Sequence, residues 1–191
     1  MDRIPAYILA GGKSSRFGSD KAVALFSGQP LIQRLADAVR PHVARVMVVA
    51  DQTDKYAHLG LRTIPDLEPG LGPLGGLLTA LSDCLDDGWL FLLSCDLLTL
   101  NPAWLDVLRK QRTSTTQAVA FKPDRWQPLL ALYQTSLRNT VMDRLHSSDR
   151  SMQSLLTEVG ATEAPLPSDW PSLLQANHPQ DLIRASRTID P

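Results

Sequence analysis

An α/β fold, with a mostly parallel central sheet between two layers of helix, is the architecture this sequence predicts. Two observations carry it. Short apolar runs alternate with amphipathic stretches of helical spacing through residue 112, the order that successive βαβ units produce. Several runs are also apolar at consecutive positions, as strands covered on both faces must be. At 191 residues the chain fits one domain, since domains commonly span ~100–200 residues. No internal repeat, low-complexity tract or long linker divides residues 1–191.

Taken in order, Ala6-Tyr7-Ile8-Leu9-Ala10 is the first predicted strand, ending at Gly11-Gly12. Residues 11–21 are glycine, serine and charge, a loop. Pro30 opens a helix whose predicted apolar face is Leu31, Ile32, Leu35, Ala38 and Val39, and Pro41 ends it. Residues 45–50, with Val46-Met47-Val48-Val49, form a second strand. Leu61-Arg62-Thr63-Ile64 forms a third, ending at Pro65-Asp66. A second glycine/proline loop, residues 70–76, feeds a helix through Leu77, Leu78, Leu81 and Leu85. Trp89-Leu90-Phe91-Leu92-Leu93 is the most apolar strand and ends at Ser94-Cys95-Asp96. The second half is less regular. Strands are predicted at 118–121 and 129–133, and helices at 138–146, 152–159 and 181–187.

Bulk properties narrow the function classes. A formal charge of −1 and no basic stripe argue against a nucleic-acid partner. The two cysteines, Cys84 and Cys95, have neither zinc nor CxxC spacing and read as small buried hydrophobes of a reducing compartment. His42, His58, His146 and His178 are scattered without metal-ligand spacing. The start of the chain does not read as a signal peptide, and no apolar run approaches the ~20 residues of a membrane span. A soluble cytoplasmic protein is the expectation.

The chemistry is concentrated after the first strand. In open α/β sheets, ligands gather beyond the carboxyl ends of strands. There the chain reads Leu9-Ala10-Gly11-Gly12-Lys13-Ser14-Ser15-Arg16-Phe17-Gly18-Ser19-Asp20-Lys21. Adjacent glycines let backbone amides approach a phosphate with no Cβ in the way. Arg16 and Lys21 add a planar fork and a point charge suited to phosphate oxygens. The segment is not a Walker A loop, because the first glycine of that motif would fall at Tyr7. It is not a dinucleotide fingerprint either, because its glycines are adjacent. On the residues alone, a glycine turn carrying solvated charges competes with a triphosphate loop.

This stretch resembles the Leu-Ala-Gly-Gly-x-Ser-x-Arg-Met-Gly-x-Asp-Lys signature of the molybdenum cofactor guanylyltransferases, the molybdopterin-guanine dinucleotide biosynthesis protein A family. Phe17 stands in place of the usual Met. Asp20 before Lys21 is similar to this branch of the nucleotidyltransferases, sugar-phosphate enzymes more often carrying Pro there. The resemblance continues in Gly72-Pro73-Leu74-Gly75-Gly76-Leu77, in the Cys95-Asp96 pair, in Gln127-Pro128-Leu129 and in Asn177-His178-Pro179-Gln180-Asp181. It therefore spans nearly the whole chain.

The resemblance implies a Rossmann-like nucleotidyltransferase fold, with residues to about 112 binding nucleotide and residues from about 113 meeting a pterin acceptor. It implies transfer of GMP from GTP to the phosphate of molybdenum–molybdopterin, with pyrophosphate leaving. Leu9, Ala10, Gly11, Gly12, Lys21, Asp66 and Asp96 would bind nucleotide. Arg16, Lys21 and Asp96 would be catalytic, with Asp96 holding Mg2+, a hard cation that is often bound by only one or two carboxylates plus phosphates and water. Gln127, Pro128 and Asn177 would meet the acceptor. On sequence alone Asp96 also reads as a cap and Asp66 as a turn residue after Pro65. Trp89, Trp104, Trp126 and Trp170 read as packing residues, with Trp126 the one placed to stack on a pterin.

The match departs from the family at Gln175, where Asn is usual, and at His178, where Thr is usual. Leu97-Leu98 stand where proline often follows the aspartate, and Val49 stands where related enzymes carry a small polar residue. These changes keep two alternatives in view: a cytidylyltransferase or other nucleotidyltransferase acting on the pterin or another small phosphate acceptor, and a nucleotide-binding accessory protein without turnover. Handover of a finished cofactor implies transient contact with a molybdenum-insertion protein and with molybdoenzyme apoproteins.

Overall fold

β1 (Ala6–Leu9) sits inside a seven-stranded sheet and is paired on both edges. The computed structural model describes residues 3–11, 17, 20–84 and 88–189. After β1 come a small hairpin, β2 (Leu25–Phe26) and β3 (Gln29–Pro30), then α1 (Leu31–Val39), β4 (Val46–Ala50) and β5 (Thr63–Pro65). There follow α2 (Pro73–Asp83), β6 (Trp89–Ser94), α3 (Ala103–Lys110), β7 (Ala118–Phe121) and β8 (Leu130–Gln134). The chain ends with α4 (Arg138–Leu145), α5 (Met152–Glu158), β9 (Thr162–Ala164) and α6 (Pro179–Ile189).

The sheet order is β5-β4-β1-β6-β8-β7-β9. β1 runs parallel to β4 and to β6, β4 parallel to β5, and β7 parallel to β9. β8 alone is reversed, antiparallel to both β6 and β7. The fold is thus a mostly parallel, Rossmann-like α/β sheet.

Period-two alternation sorts the core into two layers. Ala6, Ile8, Phe91 and Leu93 face the side covered by α1 and α3, through Ile32, Leu35, Ala36, Val39, Trp104 and Leu108. Tyr7, Leu9, Leu90 and Leu92 face α2, α4 and α5, through Leu74, Leu77, Leu81, Val141 and Leu155. In α1 the buried face is Leu31, Ile32, Leu35, Ala36 and Val39. Ala36 therefore takes the place the sequence reading gave Ala38, which is half-buried. The i, i+3, i+4 spacing from Ile32 selects Leu35 and Ala36. Of the predicted helix around Leu77, Leu85 lies outside the described residues.

This topology opens a gap at one place. From β1 the chain leaves through α1 on one face, lays down β4 and β5, and returns through α2 on the other face to β6, on β1's far side. The carboxyl ends of β1 and β6 therefore flank the topological switch point, where open α/β sheets bind ligands. Among the described residues, no helix is long and apolar enough to cross a membrane.

Candidate active site

An open cleft of about 670 Å³ lies over that switch point. Leu9, Ala10, Gly11, Lys21, Asp66, Asp96 and Asn177 all line it, so residues far apart in the chain are brought together there. Gly12 and Arg16 lie outside the described residues. Gln127 and Pro128 are half-buried in the turn that starts β8 and do not line the cleft; their neighbour Leu129 does.

Lys21 is held by a short turn. Asp20 precedes a 3-10 turn, Lys21–Val23, and its Oδ1 accepts the Ala22 amide at 3.0 Å. The Lys21 ammonium then meets Asp96 Oδ2 at 2.5 Å, with each side chain only 15% exposed. Asp96 follows the end of β6, and its backbone carbonyl accepts the Ala176 amide at 3.0 Å. A β-bridge between Leu97 and Gln175 continues this contact and carries Asn177 to the cleft. The Gln175 departure therefore falls on a residue used here through its backbone. His178 is similar: its amide, with that of Asn177, donates to Asp181 Oδ2 at 2.8 Å. Those amides hold the Asp181 carboxyl below the usual carboxylate range.

The other oxygen of the central carboxylate differs in kind. Asp96 Oδ1 is buried and has no hydrogen-bond partner among the described residues. A buried carboxylate oxygen left in that state is costly unless something occupies it. A divalent cation coordinated by one carboxylate, phosphates and water fits such an atom.

Asp66 is fixed from the opposite wall. Its amide donates to the Ala50 carbonyl at 2.7 Å. Its Oδ1 accepts the Thr79 hydroxyl at 2.9 Å and the Glu68 amide at 3.2 Å. Thr79, buried on α2, accepts the Leu67 amide at 2.9 Å. The opening of α2 must be small for this wall to close. A Cβ on Gly75 would stand 2.9 Å from the Glu68 carbonyl oxygen, and one on Gly76 would stand 2.8 Å from Leu9 Cδ2. Gly72 caps the helix with φ +69°, a left-handed conformation suited to glycine, and Pro73 follows at its first turn. Gly11 differs: among the described residues, a Cβ there would meet nothing within 4 Å.

Other groups are excluded from chemistry or newly found. Burial, reinforced by the charge of Asp96, pushes the Cys95 thiol up to about 12, so it stays protonated and is no nucleophile at neutral pH. Trp126 is buried in the α2/α4/α5 layer, and its indole N–H donates to Thr157 at 3.2 Å; it packs. Trp104 and Trp170 stack on one another at 5.2 Å. Asp51 was not foreseen, yet lines the cleft one pleat beyond Val49. Lys55 bonds it at 2.8 Å and holds its carboxyl below the usual range. Tyr56 and Thr79 were missed as well, because their roles depend on contacts with residues 36 and 13 positions away.

The chain is similar to known proteins in sequence and in fold. The family model of the MobA-like NTP transferase domain matches residues 6–163. The chain is 39% identical over 156 residues to the probable molybdenum cofactor guanylyltransferase of Deinococcus radiodurans, covering 78% of this chain and 77% of that one. It is 30% identical over 186 residues to the molybdenum cofactor guanylyltransferase of Serratia proteamaculans, covering 96% and 94%. In structure it is similar to molybdopterin-guanine dinucleotide biosynthesis protein A from Archaeoglobus fulgidus, with a TM-score of 0.82, 22% identity, and coverage of 97% and 98%.

Proposed function

Since the chain belongs to the MobA-like NTP transferase family and is a nucleotidyltransferase, we propose that it transfers GMP from GTP to the phosphate of molybdenum–molybdopterin in the cytoplasm. The observation that carries this reading is the Lys21–Asp96 pair at the switch point, with Asp96 Oδ1 buried beside it and unpartnered among the described residues. A cation and a carboxylate with one oxygen still able to coordinate, set between the ends of β1 and β6, suit a triphosphate and its counter-ion.

In this reading the acceptor phosphate oxygen forms a bond to the α-phosphorus of GTP while the bond to the β-phosphate oxygen breaks. The electron pair leaves with pyrophosphate. No general base is required, because the attacking phosphate oxygen is already anionic. The protein's contribution is positioning and charge compensation. The Gly11 main chain lies against the nucleotide, and Lys21 exchanges Asp96 for phosphate oxygens. Leu9 and Ala10 border the nucleoside, and Asp66 holds it from the opposite wall, its Oδ1 already committed to Thr79 and Glu68. Asp96 Oδ1 would hold Mg2+, which when bound neutralises phosphate charge. Asn177, which lines the cleft as Leu129 does, would meet the acceptor.

A panel of GTP, CTP, ATP and UTP, each with magnesium and molybdopterin, tests the proposal through pyrophosphate release. Release with GTP well above the others is the expected result. Preference for CTP would replace the nucleotide while keeping the chemistry. No release from any nucleotide, despite binding, would identify a non-catalytic carrier.

A further inference from the structure

Lys21 stands at the far end of the long connection from β1, and a side chain so placed does work only if its backbone is fixed. The fixing comes from elsewhere in the fold. Tyr56, 1% exposed, donates its hydroxyl to Asp20 Oδ2 at 2.8 Å. Lys55 reaches the same oxygen at 3.1 Å. The other oxygen of Asp20 accepts the Ala22 amide, so both carboxylate oxygens are used, one by the turn and one by the segment after β4. Tyr56 also lies 3.5 Å from the Ala10 carbonyl, but its single proton goes to the nearer, charged acceptor.

We propose that Tyr56, acting through Asp20, is a positioning residue that clamps the Lys21 turn against the end of β1, with Lys55 as the second jaw. The clamp accounts for an aspartate directly before the lysine. A residue there without a polar side chain could neither cap the turn nor pair with Tyr56, and only a carboxylate accepts at both oxygens. Lys55 also bonds Asp51 in the cleft wall, so one ammonium ties the nucleotide wall to the phosphate-binding lysine. The inference rests on the nucleotidyl-transfer reading only where turnover is the readout.

Two measurements on the full chain separate these claims. In the first, acetylation of lysines by an N-hydroxysuccinimide ester is followed site by site by mass spectrometry, without nucleotide. Tyr56→Phe, which keeps the ring and removes the hydroxyl, and the double variant Tyr56→Phe with Lys55→Met should raise Lys21 labelling about threefold or more, the scale of one lost hydrogen bond. Lys110 and Lys122 should label as in the parent.

In the second, pyrophosphate release from GTP with pterin acceptor should show kcat lowered about three- to tenfold by Tyr56→Phe, with KM for GTP within about twofold, because a displaced lysine loses transition-state contacts first. Asp20→Asn can still cap Ala22 and pair with Tyr56, so it should lose less than Asp20→Ala. Unchanged Lys21 labelling in the double variant overturns the clamp. So does a uniform rise at all lysines with a large drop in melting temperature, which would make Tyr56 a packing residue only. If the parent turns over no nucleotide, the functional reading fails while the labelling still decides the clamp.

Discussion

The two halves of the sheet present their residues to the cleft in different ways. In β5-β4-β1-β6 every strand runs in one direction, so every carboxyl end reaches the same rim, bringing Gly11, Asp51, Asp66 and Asp96 together. In β8-β7-β9 the reversal of β8 places its amino end at that rim instead. Leu93 pairs with Leu130, and the Ser94 amide donates to the Leu129 carbonyl at 3.0 Å. This half therefore offers the start of β8 between the carboxyl ends of β6 and β7, with a returning segment around Asn177, rather than an unbroken row of carboxyl ends. In a parallel half, topology places functional side chains; in a mixed half, loops do.

That contrast ranks the consequences of substitution. Lys21→Ala should be the most damaging, lowering kcat about 10²–10³-fold, as loss of one preorganised charge contact typically does. Its melting temperature should move far less than its turnover. Steady-state kinetics beside a thermal melt checks this. Asp96→Asn should follow closely, and a magnesium titration should show its half-saturating concentration raised about tenfold or more; a curve matching the parent's would remove Asp96 as the metal ligand.

Thr79→Val, which keeps shape and removes the hydroxyl from Asp66 and Leu67, should raise KM for GTP about tenfold while leaving acceptor KM alone. Where the acceptor is proposed to bind, effects should shrink. Asn177→Ala should raise acceptor KM about three- to tenfold, whereas Gln127→Ala, outside the cleft lining, should change it less than about twofold. A larger effect from Gln127 than from Asn177 would erase the distinction between the halves.

The same asymmetry governs what was legible in the sequence. β1, β4 and β6 were readable because each is an apolar run ended by glycine or a carboxylate, and the cleft residues follow from strand order. The short β9, Thr162–Ala164, was not, since three residues carry no usable alternation, and its partner β7 is distant in sequence. The hairpin β2–β3 has two residues per strand and no periodicity at all. The reversal of β8 was equally hidden, because a strand buried on both faces reads the same in either direction. Local motif reading pointed to Lys21 and Asp96 but not to what holds them. The partners of Asp20, Tyr56 and Lys55, come from a segment whose own sequence announces neither catalysis nor binding.

The central claim is that the turn after β1 grips a triphosphate through the Gly11 main chain and Lys21, with Asp96 opposite. A crystal structure of the chain with GTP and magnesium tests it most directly. The account predicts phosphate oxygens within hydrogen-bond distance of the Gly11 amide or the Lys21 ammonium, and an ion on Asp96. A triphosphate bound away from the carboxyl ends of β1 and β6 would contradict it.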